Sequence, residues 1–369
     1  MKNIVPNQTD SMRVKPSASP LSIGEVALAS GVITKRDLEM AHASAELELV
    51  TAQEADVVVF HPSLFCQVAL PYRDPGHDVP DWVRNSGSVM LTIQPYVETE
   101  RVPDSTPQRL RPPGGVVKRY RHAYGIIPRA FLTWAATQVV TNSPDLDSHT
   151  LNLGHSMSAF LRKMGVEGAT GGARGSITRF RNQIKALAGS SISVTQEGGD
   201  ENTGYWLHEG MKFASRTFLA WAPQDDHYQE GGLFPSTLTL TTEMYKSMRE
   251  SAVPIDLRAI RALRAYGSEG SSGGAFTFDI YCWLAYRLHA LTKPTLVTWQ
   301  QLSDQFGSQY KRLRAFKENL LKQLPAVQAA YPAAKWVVRD NGLLLYPSPP
   351  PVPERDKIPR SRPRQIETK

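Results

Sequence analysis

The chain has 369 residues, 41% of them hydrophobic and 21% charged, with a formal net charge of +7 and a pI near 9.3. This length suits two or three domains with adequate cores, and no apolar run approaches the roughly 18 residues needed to cross a bilayer. The start MKNIVPNQTD has no signal-peptide core, so we expect a cytoplasmic protein with no membrane partner. Cys66 and Cys282 stand alone without a CxxC partner, and are expected to be free thiols in a reducing compartment.

Residues 1–20 are polar and Pro/Ser-rich, which predicts disorder. Two short helices around Gly31 complete a 1–55 extension in which nothing suggests chemistry and whose role stays open. From 64 to 118 the runs Leu64 to Leu70, Ser88 to Val97 and Gly115 to Tyr120 predict strands separated by loops. They form a small β element opening a first domain over 56–222.

That domain continues with a helix after Pro128, a strand Thr150 to Leu153, and a short helix capped by Ser156. After the glycine-rich turn GVEGATGGARG comes SITRFRNQIKALAG. At 100° per residue, Ile177, Phe180, Ile184 and Leu187 share one face of a helix 176–188, while Thr178, Arg179, Asn182 and Lys185 point away. The strands SISVT and GYWLHEG predict a hairpin behind it.

Residues 223–232, PQDDHYQEGG, read as a linker. A second domain, 233–348, repeats the pattern: a long helix 276–291, a strand, a helix Trp299 to Phe306, a basic helix 309–324 and the hairpin WVVRDNGLLLY. In that basic helix Leu313, Phe316, Leu320 and Leu324 are placed inward, with Lys311, Arg314, Glu318 and Lys322 outward. Asp340, Asn341 and Gly342 supply the turn chemistry of the hairpin. The tail 349–369 is Pro-rich and basic, and predicted extended and disordered. The fold class is therefore α+β, with two tandem winged-helix domains preceded by a small β element and flanked by disordered termini.

A basic amphipathic helix is commonly just a solvated face. Two of them, each after a short helix and before a hairpin, point instead to double-stranded DNA. Arg can grip guanine, Asn can make two bonds to adenine, and Thr and Lys serve base or phosphate. Thr178, Arg179, Asn182, Lys311 and Arg314 are the candidate base readers. Arg174, Ser176, Arg181, Lys185, Arg312, Lys317 and Lys322 are the candidate phosphate contacts. Laid into successive major grooves, the two helices would sit about 34–36 Å apart.

Other chemistry finds little support. GATGGARG lacks the Lys that a phosphate loop needs, and LGHSMS has Ser158 where a nucleophile elbow needs its second glycine. The nine histidines show neither HxH nor HExxH spacing, so we expect no metal, no cofactor and no catalysis. Asp225 and Asp226 fall in the apparent linker, and the seven tryptophans mostly lie in apolar contexts that suit packing.

Several strings carry a family likeness: LPYRDPG at 70–76, YGIIPRAFLTWAATQ at 124–138, and LGHSMSAFLRKMGVEGATGGARGSITRFRNQI at 153–184. The second half adds VPIDLRAIRALRAYG at 253–267, DIYCWLAYRLHALTKPTLVTWQQLSDQFG at 279–307 and GLLLYPSPPPV at 342–352. Together these resemble the plasmid-encoded replication initiator family called RepA. Between its segments this chain inserts SEGSSGGAFT at 268–277. The resemblance implies binding to repeated origin sites (iterons), opening of adjacent DNA, and recruitment of the host initiator and helicase. It also implies repression of the protein's own gene as a homodimer. A repressor that opens no origin is the runner-up; a nicking relaxase is disfavoured for want of a metal-binding histidine pair.

Overall fold

The computed structural model describes residues 34–103, 105, 107–110, 112–142, 149–163, 170, 172, 175–199, 203–220, 235–267, 274–307 and 310–353. The predicted N-terminal disorder, the linker 223–232, residues 268–273 of the insert and the tail beyond 353 lie outside these residues.

The chain divides into two compact units at residues 39 and 40. In the first, Thr34 and Asp37 cap the start of helix α1 (Lys35–Leu49) reciprocally. The Thr34 amide donates to Asp37 Oδ2 at 3.0 Å and the Asp37 amide donates to Thr34 Oγ1 at 3.2 Å.

The second unit takes up α1 from Met40 and continues with strand β1 (Val58–Pro62), helix α2 (Ser63–Gln67) and strands β2 (Trp82–Ser86), β3 (Val89–Gln94), β4 (Tyr96–Arg101) and β5 (Val116–Arg121). Helix α3 (Ile126–Thr141), β6 (Thr150–Gly154), α4 (Met157–Lys163) and α5 (Ser176–Ala188) follow, then β7 (Ser191–Gly199), β8 (Gly204–Lys212) and β9 (Ala214–Phe218). The later part holds β10 (Ser236–Leu240), α6 (Thr242–Ser251), β11 (Ala252–Asp256), α7 (Leu257–Gly267) and α8 (Ala275–Leu288). It ends with β12 (Thr295–Thr298), α9 (Trp299–Phe306), α10 (Leu313–Ala330), β13 (Trp336–Arg339) and β14 (Gly342–Leu345). The architecture is mixed helix and antiparallel sheet, as the α+β assignment requires.

Two hydrophobic cores organise this unit, and neither is a contiguous stretch of chain. One gathers Leu91 and Ile93 of β3, Phe131 and Leu132 of α3, Phe160, the inward face of α5, and Phe213, together with Leu238, Met244 and Met248 from β10 and α6. The other surrounds α8, in which every residue from Ala275 to Ala285 is buried, and includes Cys66, Ala69 and Tyr72 from far upstream. Short helix α2 serves both: Phe65 enters one core and its neighbour Cys66 the other.

Sheet pairing ties the same distant segments. β1 runs antiparallel to β11, from Val58 opposite Asp256 to Pro62 opposite Ala252. β10 is the central strand between β6 and β9. β2 and β3 extend the β7–β8 hairpin into a four-stranded sheet. The run Leu64 to Leu70, expected as a strand, instead begins in helix α2, whose Phe65 and Cys66 belong to different cores; alternating and helical burial are hard to tell apart in an apolar run this short.

A buried ion pair clamps α3 to α8. Arg129 Nε donates to Asp279 Oδ1 at 2.7 Å and its Nη2 donates to Oδ2 at 2.6 Å. The same guanidinium donates to the carbonyls of Gly125 at 2.7 Å, Leu70 at 2.8 Å and Pro71 at 3.3 Å. Both side chains are at most 4% exposed. Burial holds the Asp279 carboxyl above the ordinary carboxylate range, with Arg129 pulling the other way. Beside them His61 is fully enclosed, its Nδ1 2.9 Å from Thr133 Oγ1 and its ring edge-on to Phe278.

Cys66 and Cys282 are free and buried. Burial first, and then the neighbouring Cys66, push the Cys282 thiol well above its usual range.

Candidate nucleic-acid interface

Helix α5 has the division of faces that its sequence prescribes. Ile177, Phe180, Ile184 and Leu187 are at most 7% exposed, and Phe180 meets Phe131 and Phe160 in an aromatic cluster. Gln183 is also buried, its Oε1 accepting from the Tyr124 amide at 2.7 Å. With that face anchored, Arg179, Asn182 and Lys185 are left on the exposed side.

The start of α5 is fastened to the turn before it. Thr170 and Ser176 exchange amide-to-hydroxyl bonds at 2.9 and 3.1 Å. Thr178 Oγ1 donates to the Gly172 carbonyl at 2.8 Å. All three hydroxyls are thus engaged at the start of α5, while Arg174 lies outside the described residues. Arg181 is half-buried beside the exposed stripe.

The β7–β8 hairpin, nine residues a side, follows α5 in the chain. Every residue of β8 but Met211 is exposed, and Trp206 stacks on His208 at 5.5 Å with rings 5° apart.

The second copy is built differently at its start. α10 begins at Leu313 rather than 309 and runs to Ala330 with Pro325 inside. Arg312 is its N-cap, in extended conformation at φ −135° and ψ 133°, so Lys311 and Arg312 stand on the chain entering the helix, exposed. Leu313, expected inward, is 41% exposed, because the first turn projects past the core that Phe316, Leu320 and Leu324 enter.

The outward residues of α10 have local partners. Arg314 Nε donates to Glu318 Oε1 at 2.9 Å, one turn on and well exposed. The Lys317 ammonium lies 4.8 Å from the centre of the Trp299 ring. Lys322 is exposed. Trp299 also donates through Nε1 to the Asp340 carbonyl at 2.8 Å, joining α9 to the β13–β14 tip. The start of α9 is fixed by a capping box between Thr298 and Gln301.

One element beside α5 was legible only in part: the expected strand Gly115 to Tyr120 is β5, but its partner β4 was not separated from the run Ser88 to Val97. β4 and β5 form a two-stranded ribbon pairing only with each other among the described strands. The Tyr96 ring lies so close to Gly189, at the end of α5, that a Cβ there would come within 2.5 Å of it. Glu98 and Arg121 of the ribbon line a common hollow with Asn182 and Lys185 of α5. Strand-like alternation is visible at 96–101, but nothing in it tells which helix the ribbon will flank.

Fold and site together define an α+β protein carrying basic helices, each followed by an antiparallel hairpin. Residues 122–301 match the family model described as plasmid encoded RepA protein. The RepA likeness read from the sequence therefore holds over this region, which includes α5, its hairpin and α8. No curated protein matches the chain. Among solved structures, domains 2 and 3 of RctB, as selenomethionine derivatives, align with a TM-score of 0.41 at 10% identity, covering 77% of this chain and 95% of that one. A second structure of RctB domains 2–3 gives 0.39 at 12% identity, covering 76% and 94%. At these values the likeness carries no argument about function. Among the described residues no helix is long and apolar enough to cross a membrane.

Proposed function

We propose that the protein is a plasmid replication initiator that binds repeated origin sites in double-stranded DNA through two winged-helix modules. α5 with β7–β8 forms one module and α10 with β13–β14 the other. The observation that carries this reading is the fixed orientation of α5: its apolar face is held in a core while Arg179, Asn182 and Lys185 stand exposed, and the β7–β8 hairpin follows it in the chain. The family match supports the replication role. A polyanion also suits a chain of net charge +7.

On this reading Arg179 and Asn182 read bases in the major groove, and Arg314 does so from α10 after releasing Glu318. Ser176 and Thr178 are placed to steady the turn, whose amides and Arg174 approach a phosphate. Lys185, Arg181, Lys311, Arg312 and Lys322 supply backbone attraction. The protein acts by binding rather than catalysis, in the cytoplasm on plasmid DNA, opening adjacent sequence and recruiting the host initiator and helicase.

Footprinting on DNA flanking the gene tests the proposal. The expected result is a set of repeated protected sites, each about two helical turns long, and support of replication when gene and sites are placed on a replicon lacking an origin. Protection without replication in a suitable host would leave a repressor.

A further inference from the structure

We propose that the β4–β5 ribbon is a second DNA-contacting element, in which Arg119 and Arg121 pass from Glu98 and Glu100 to phosphates beside the groove entered by α5. This rests on the reading of α5 as a DNA helix. The ribbon has two faces, and the pairing places Tyr96 opposite Arg121 and Glu98 opposite Arg119 on one of them. Tyr96, Glu98 and Arg121 of that face border α5: Tyr96 packs at Gly189, and Glu98 and Arg121 share a hollow with Asn182 and Lys185. A neighbouring open cleft of about 410 Å³ is lined by Tyr96, Glu98, Lys185, Gly189 and Phe218. DNA approaching the exposed face of α5 would meet the ribbon at the same time.

The charges on that face are paired among themselves. Arg121 Nη2 is 2.6 Å from Glu98 Oε2, and Arg119 Nε donates to Glu100 Oε2 at 3.0 Å. All four side chains are 35–47% exposed, and pairs of that exposure are weak and screened by salt. A guanidinium can therefore exchange a carboxylate for a phosphate, whose oxygens match its fork equally well. Across both faces the ribbon carries four cations, Arg101, Lys118, Arg119 and Arg121, against two carboxylates. The balance favours a polyanion, and the two glutamates temper it.

The test is salt-dependent binding of the full chain to a duplex bearing its footprinted site and to a random duplex of equal length. Arg119→Ala with Arg121→Ala should weaken both complexes alike and lower the slope of log affinity against log salt by about 1.8, at about 0.9 per phosphate contact. Arg119→Lys with Arg121→Lys should keep the slope, whereas Glu98→Gln with Glu100→Gln should raise affinity for both duplexes. Arg179→Ala serves as the control and should lose preference for the site. Wild-type affinity and slope in the double alanine variant, with Arg179→Ala impaired, would overturn the ribbon's role and leave contact on this side of the molecule to α5. Lysine variants as weak as the alanine ones would equally overturn it, since the arginines would then act through packing. If Arg179→Ala also binds normally, the reading of α5 falls and takes this proposal with it.

Discussion

Replacing Asp279 with Asn should destabilise the protein by about 3–5 kcal/mol, the cost of breaking a buried ion pair by removing one partner. The structure supports the full range. Asn keeps the shape but can accept only one of the two guanidinium bonds now made at 2.6 and 2.7 Å. Arg129 would remain 1% exposed with an uncompensated charge, and the carbonyls of Leu70, Pro71 and Gly125 offset only part of it. Replacing both partners with Met and Leu should not restore stability fully. Those carbonyls would lose their donor, and each buried acceptor left unsatisfied costs about 1–3 kcal/mol. Urea unfolding monitored by tryptophan fluorescence measures the loss directly. Because the pair joins α3 to α8, the single variant should also separate the melting of the two cores into distinct transitions. A loss below about 1 kcal/mol with one transition would refute the argument.

Acid should destabilise the protein through His61, whose pKa is lowered to about 3 by burial first and Arg129 second. An unfolded histidine titrates near 6.5, so the unfolded chain takes the proton first. Stability is complete above that value and falls as pH drops toward 3, by about 3 kcal/mol at pH 4.5; a His61→Gln variant showing the same decline would disprove this. For DNA, Arg179→Ala or Arg314→Ala should each cost about 1–3 kcal/mol and relax preference at one base position, while Lys322→Ala should weaken all sequences alike. Anisotropy titrations across a set of single-base variants distinguish the two patterns, and unchanged preference in both arginine variants would reject them as readers. Gly342→Ala should lower the melting temperature clearly, since its Cβ would meet the Val297 carbonyl at 2.1 Å; a melting curve like the wild type's would show that β12 can yield.

Local periodicity made the individual helices and hairpins legible. The wheel at 176–188 named the buried residues of α5 because one core fills that face continuously, and Ser156 does cap α4, accepting from the Ala159 amide at 3.3 Å. In α10 the same wheel continues the pattern too far back. Periodicity does not record where the chain turns, and Lys311 and Arg312 fall on the approach to the helix. Gly342 looks like turn chemistry in sequence, but its role is close passage of β14 against β12. Least legible were pairings over long separations, such as β1 with β11 and β10 between β6 and β9, since alternation specifies a face and not a partner. Partners one turn away, such as Glu318 for Arg314, were within reach of the i,i+4 rule. Contacts such as Lys317 over Trp299 needed the tertiary fold.

The interleaving of the two cores bears on how the chain is made. A ribosome releases residues in order, yet the core that anchors α5 lacks Leu238, Met244 and Met248 until the chain is two thirds complete. The core around α8 must in turn recover Cys66, Ala69 and Tyr72 from the earliest part of the same unit. Neither half can close as a finished body while the other waits in the exit tunnel, and a cut between residues 223 and 232 would leave fragments each missing part of its own interior. The exposed faces of α5 and α10 therefore mature together, so that a truncated chain is born with neither in place.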